Sequence, residues 1–196
     1  ITGTAAFTGG LTINNTGGGG SNTVTLNNNI TTTGNLTITN GILDLGAFTA
    51  NRTAAGGTMT ISNGTRLIIG GTNSLPTNYT THVIGATSTV EYDGTTNAVT
   101  APNGGVAYGN LEIDATGATT SASFPVAGIL SVLTSRSLVA SAGTITMSDV
   151  ASSITNSGTL SFRGLTIAAT PSDQSQYNAS YNVAATLTVN GSITFA

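Results

Sequence analysis

The chain has 196 residues, a formal net charge of −3 and only 6% charged residues, against about 25% in ordinary soluble domains. It holds four Arg, no Lys and no Cys. This excludes disulfides, thiolate metal sites, the basic stripe that nucleic acid requires and a polybasic membrane contact, and no apolar run nears the roughly 18 residues of a spanning helix.

In chain order, residues 1–34 carry Leu11-Thr-Ile13, a Gly run at 17–20, then Val24-Thr-Leu26 and Ile30. These read as short alternating strands between Gly/Asn corners. Residues 35–70 hold a unit that occurs twice. Asn35-Leu-Thr-Ile-Thr-Asn-Gly-Ile-Leu-Asp-Leu-Gly46 returns as Thr58-Met-Thr-Ile-Ser-Asn-Gly-Thr-Arg-Leu-Ile-Ile-Gly70. Residues 71–81 read as a loop. Strands follow at His82–Ile84 and Val90–Tyr92, then a polar stretch over 93–109, then Leu111-Glu-Ile113. Strands crowd together over 124–147, a variant unit fills 158–168, and 170–184 is the longest polar insertion. A last unit spans 185–196. No stretch keeps helical periodicity, and the Gly, Ser and Thr density opposes helix throughout.

A returning unit of about two dozen residues marks a stacked, quasi-one-dimensional fold. The competing reading is a set of hairpins, because Asn-Gly between strands is a strong hairpin signal. Register separates the two. A hairpin at Asn40-Gly41 would pair Ile38 with Leu43, but one at Asn63-Gly64 would set Ile61 against Arg66, and one at Asn190-Gly191 would set Thr188 against Ile193. Such mismatches put apolar side chains on the wrong face. Stacking Leu36 on Met59 and Leu45 on Ile69 carries no such conflict. The expectation is a single all-β domain over 1–196, a parallel β-solenoid of eight or nine irregular coils with insertions near 71–81, 93–109 and 170–184. At ~4.8 Å per coil it forms a rod on the order of 40 Å long. The alternative is an antiparallel β-sandwich of pilin type.

Thr89-Val-Glu-Tyr-Asp-Gly-Thr-Thr-Asn-Ala-Val-Thr100, followed by Tyr108-Gly-Asn-Leu-Glu-Ile-Asp114, resembles a unit of very large bacterial surface proteins. With the Leu-Thr-Ile-x-Asn-Gly units, the chain is similar to filamentous-haemagglutinin-type and autotransporter-passenger adhesins. The resemblance implies a right-handed parallel β-helix and an exported, non-enzymatic surface fibre. Ala98-Val99 stand where a Gln is usual in that unit.

The residues that could carry chemistry are few. Glu91 and Asp93 share a strand face, as do Glu112 and Asp114. If those strands stack, like charges meet and repel, and Ca²⁺ would relieve this with oxygen ligands; solvent-facing carboxylates are the plainer reading. No other cofactor is expected. A polysaccharide-cleaving site would use the same carboxylates, with His82 assisting, but lacks Lys. His82 reads otherwise as a strand residue satisfied by a neighbour. Tyr79, Tyr108, Tyr177 and Tyr181 lie in or beside the polar insertions, where exposed Tyr is a common recognition device. The Asn-x-Ser/Thr sequons read as composition.

The expected function is therefore a non-catalytic extracellular protein at the cell surface, a filament subunit or a segment of an adhesin stalk. Neither Ile1–Leu11 nor Leu187–Ala196 reads as a cap, so flanking chain or another copy is expected to stack on the ends. The expected partners are the chain itself and a surface glycan or protein receptor, with no nucleic acid. A carbohydrate-binding or carbohydrate-cleaving β-helix and a strand-donating pilin-like subunit are the alternatives.

Overall fold

The computed structural model describes residues 6–17, 22–149 and 151–167, together with the backbone of strands Tyr181–Val183, Leu187–Val189 and Ile193–Phe195. Every strand pairing among them is parallel. The chain is a β-solenoid of about seven turns with almost no helix, and the antiparallel sandwich is excluded. Eight or nine coils were expected; the eight strands of the longest sheet enclose about seven steps.

That long sheet runs through Thr23–Thr25, Ile42–Asp44, Arg66–Ile69, Thr89–Tyr92, Asn110–Ile113, Ile129–Val132, Ser153–Asn156 and Tyr181–Val183. Two further faces complete each coil, and both are broken midway. Before the break, Ile30–Thr32 pairs with Ala50–Arg52, and Leu36–Asn40 is followed by Thr58–Ile61 and Thr81–Ile84. After it, one face stacks Ala118–Thr120, Ser137–Ala140 and Thr159–Phe162, and the other stacks Phe124–Val126, Ile145–Met147 and Leu165–Ile167. The 71–80 and 93–109 segments occupy the break.

Alternation along each strand explains the core. Inward residues stack on their equivalents one coil later: Leu11, Leu36 and Met59 form one row, Ile13, Ile38, Ile61 and Ile84 the next. On the long sheet Leu43, Leu67, Val90, Leu111 and Leu130 form another, all at 0% exposure. The Leu36–Met59 stacking agrees with the repeat in the sequence. Asn40-Gly41 is a corner, not a hairpin turn: Leu36–Asn40 and Ile42–Asp44 lie in different sheets. Gly41 turns it at φ 85°, where a side chain is strained, and an added Cβ would lie 2.6 Å from the Asn15 and Asn22 carbonyl oxygens.

Asparagines fasten the corners. The Oδ1 atoms of Asn29, Asn35, Asn51 and Asn110 each accept the backbone N–H of a residue one coil on, at 2.9 Å, from Thr49, Thr58, Thr77 and Ile129. Asn63 does the same for Thr87 at 3.2 Å. These bonds satisfy backbone donors that the sheets leave over where the chain turns. Leu67→Ala, which opens a cavity in the middle of a stacked row, is expected to cost about 2–5 kcal/mol, read from urea unfolding. A cost below 1 kcal/mol would contradict the close stacking.

Candidate functional site

The outer surface of the long sheet gathers the chain's charge. Five of its seven carboxylates (Asp44, Glu91, Asp93, Glu112, Asp114) and two of its four arginines (Arg66, Arg136) belong to this sheet and its corners. Two arginines against five carboxylates leave a formal −3, equal to the net charge of the whole chain.

Register places Glu91 directly beside Glu112, as the sequence pattern anticipates. Arg66, one coil earlier, bridges them: its Nη1 donates to Glu91 Oε2 and, at 2.7 Å, to Glu112 Oε1. Arg136 likewise donates through Nε to Asp114 Oδ1. Arginine therefore takes the role assigned above to Ca²⁺. Among the described residues no group of three or more His, Asp or Glu is disposed to hold a metal. The missed signal was in the sequence: Arg66 is an outward residue of an alternating strand, and that strand stacks directly on Thr89–Tyr92.

Burial governs the electrostatics. It pushes the Glu91 carboxyl above its ordinary range, with the Arg66 hydrogen bond pulling the other way and Glu112 and Asp93 adding repulsion. Asp93 is raised by burial and by the charges of Asp44 and Asp114. For Arg66, burial opposes the charged form, but the bonds to Glu112 and Glu91 outweigh it and raise its pKa. Beside this cluster lies an open groove of about 340 Å³, lined by Arg66, Thr89, Asn110, Glu112, Ile129 and Ser131 among others. Ile129, 44% exposed, adds an apolar side chain to its lining.

The tyrosines are a correction. Tyr79 and Tyr108 are fully buried, so neither presents a contact surface. Both fold into the break in the solenoid. Tyr79 Oη lies 3.1 Å from Thr32 Oγ1 and from the Ala50 carbonyl. Tyr108 Oη lies 3.2 Å from Tyr92 Oη and donates to the Thr100 carbonyl, while its ring meets Phe124 edge-on at 5.4 Å. Burial pushes the Tyr92 hydroxyl up to about 12 and raises that of Tyr108 well above its ordinary value. The polar stretches they belong to hid this: a loop that replaces sheet must supply its own core, and these rings do so. Tyr177 lies outside the described residues. Tyr181 is described by its backbone alone, which pairs with Ile154.

His82 is buried, 4% exposed, on the inward row that Leu11, Leu36 and Met59 begin. Its Nδ1 accepts the Asn103 backbone N–H at 3.0 Å, the neighbour expected for it. It lies on another face from the Arg66 cluster and shares no groove with it.

Fold and site define the chain as a parallel β-solenoid with one charged, arginine-bridged face. Comparison with protein-family models, curated proteins and solved structures finds no match.

Arg66→Met is expected to lower stability by about 1–3 kcal/mol at pH 7, because it leaves two stacked carboxylates unbridged. Glu91 holds its proton more tightly folded than unfolded, so its contribution is fully present below the unfolded pKa and is lost as the pH rises through the folded one. The Arg66→Met deficit should therefore shrink toward pH 4. Equal deficits at pH 4 and pH 7, by urea unfolding, would mean that Arg66 acts through packing alone. Millimolar Ca²⁺ is expected to leave the wild-type unfolding midpoint unchanged.

Proposed function

We propose that the chain is a non-catalytic structural rod: a segment of an extracellular surface filament or stalk that continues by β-stacking on flanking coils or on further copies. The observation that carries this reading is the parallel sheet of eight strands running the length of the described solenoid. Stacked coils contact only their neighbours, so such a rod gains length without changing its cross-section. Its backbone groups are held in ladders and its corners by asparagine side chains, an economy suited to bearing load and resisting proteases.

Two further observations support the reading over an enzyme. Glu91 and Glu112 both engage Arg66, and Asp114 engages Arg136, so these carboxylates are tied into ion pairs. A glycosidase needs one carboxyl free to donate a proton and another free to attack or to activate water. Away from the long sheet the surface is dominated by Thr, Ser and Asn, a face that tolerates close lateral neighbours without charge repulsion. A strand-donating pilin-like subunit loses its basis with the sandwich fold.

Electron microscopy with fibre diffraction of the native material tests this. Rods with a ~4.8 Å repeat along the axis, and no sugar released from bacterial or host polysaccharides, are the expected results. Isolated particles at every concentration, with polysaccharide cleavage abolished in Glu91→Gln, would replace the structural reading with an enzymatic one.

A further inference from the structure

His82 occupies a position that its row reserves for apolar side chains. Met59, its partner one coil earlier, is fully buried, and Leu36 before it is fully buried too. The imidazole is held there by one bond, from the Asn103 backbone N–H to Nδ1 at 3.0 Å. A ring nitrogen that accepts from an N–H carries no proton of its own, so the single ring proton resides on Nε2. Nε2 is buried and has no hydrogen-bond partner among the described residues.

The bond joins two parts of the break in the solenoid. His82 belongs to Thr81–Ile84, the last strand of its face. Asn103 begins the turn Asn103–Gly105, in which Gly104 and Gly105 have φ of 81° and 70°. Asn103 also donates through Nδ2 to the Tyr79 carbonyl, so the turn is fastened to the 71–80 segment as well. A shallow groove of about 230 Å³ separates that segment from Thr100, Ala101 and Asn103.

We propose that His82 and Asn103 form an acid-sensitive latch: a second proton on the imidazole expels the Asn103–Gly105 turn and opens the core at the break, while the long sheet stays paired. The step needs only a proton from solvent. With Nε2 already protonated, the incoming proton must bind Nδ1. Its N–H then faces the Asn103 N–H, a donor against a donor, and the bond is lost.

The surroundings offer the cation no relief. Thr58–Ile61 brings no titratable group. The 71–80 segment brings Tyr79, whose hydroxyl is engaged with Thr32 and Ala50 and is held neutral by burial. Arg52, which lies near that hydroxyl, is itself a cation. The 99–108 segment brings Tyr108, whose hydroxyl donates to Thr100. No carboxylate lines the groove. Burial accordingly lowers the pKa of His82. The unfolded chain takes up this proton near pH 6.5, about the ordinary value. The stability tied to the neutral ring is thus full above that pH and is lost as the pH falls through the folded value. Glu91 and Asp93, displaced upward, respond in the opposite sense, but on the long sheet.

Nitrogen-15 NMR of the full chain between pH 7.5 and 4.5 tests the latch. At pH 7.5 the ring shifts should report the Nε2–H tautomer. On acidification the Asn103, Gly104 and Gly105 amides should shift together with the His82 ring, with a midpoint below about 6.5, while the Leu130 and Ile154 amides of the long sheet show no transition at that midpoint. In His82→Gln, whose side-chain oxygen can still accept from Asn103, that transition should vanish. Should the variant fail to fold, the coincidence of ring and turn titrations in the wild type decides alone. An Nδ1–H tautomer, a turn indifferent to pH across the ring titration, or an unchanged transition in a folded His82→Gln would each overturn the proposal.

Discussion

Everything in this molecule depends on one constraint: each strand pairs in parallel with its equivalent a coil away, so each inward side chain rests on its own counterpart. Parallel strands need a crossover between them, and here the crossover is the rest of the coil. Leu36 on Met59 and Leu43 on Leu67 are consequences of that geometry. So is the surface, because outward residues stack as well. Threonine on threonine is benign, but glutamate on glutamate is not, and the fold meets that conflict with an arginine from a third coil.

The break midway shows what happens when the constraint lapses. Two faces lose their strands near residues 71–80 and 93–109, while the long sheet carries on. Tyr79, Tyr92 and Tyr108 fill the space that stacked aliphatic rows fill elsewhere. Asn97, fully buried, accepts the Gly94 N–H and donates to the Asn73 carbonyl, tying loop to loop as the corner asparagines tie coil to coil. This part of the rod rests on side-chain hydrogen bonds more than on ladders. Where such a bond ends on a titratable ring, as from Asn103 to His82, it depends on protonation state as ladder bonds do not.

Much of the architecture was legible in the sequence, because the solenoid writes its period directly into the chain. The return of Leu36 and Ile38 as Met59 and Ile61 fixed the stacking register, and the register conflict at Asn63-Gly64 ruled against hairpins. Glu91 beside Glu112 followed from the same register. Other features were hidden for physical reasons. Arg66 could be read as an outward residue of its strand, but its reach across two coils leaves no local pattern. Tyr79 sits among Asn, Thr and Pro, and Tyr108 closes the stretch that holds Pro102, Asn103 and two glycines, compositions that signal exposure even where the loop must build its own core. The Nε2–H tautomer of His82 depends on a backbone N–H far along the chain, which no residue near His82 announces.

The parallel register is the central claim, and the absence of cysteine makes it directly testable. Thr37 and Thr60 are paired on adjacent coils, about 4.8 Å apart for neighbouring strands, within the span a disulfide bridges. In a hairpin at Asn40-Gly41, Thr37 would instead face Asp44. Mild oxidation should close a disulfide in the Thr37→Cys/Thr60→Cys variant and leave Thr37→Cys/Asp44→Cys as free thiols, read by peptide mapping. The reverse outcome, a bridge to position 44 and none to position 60, would contradict the stacked solenoid.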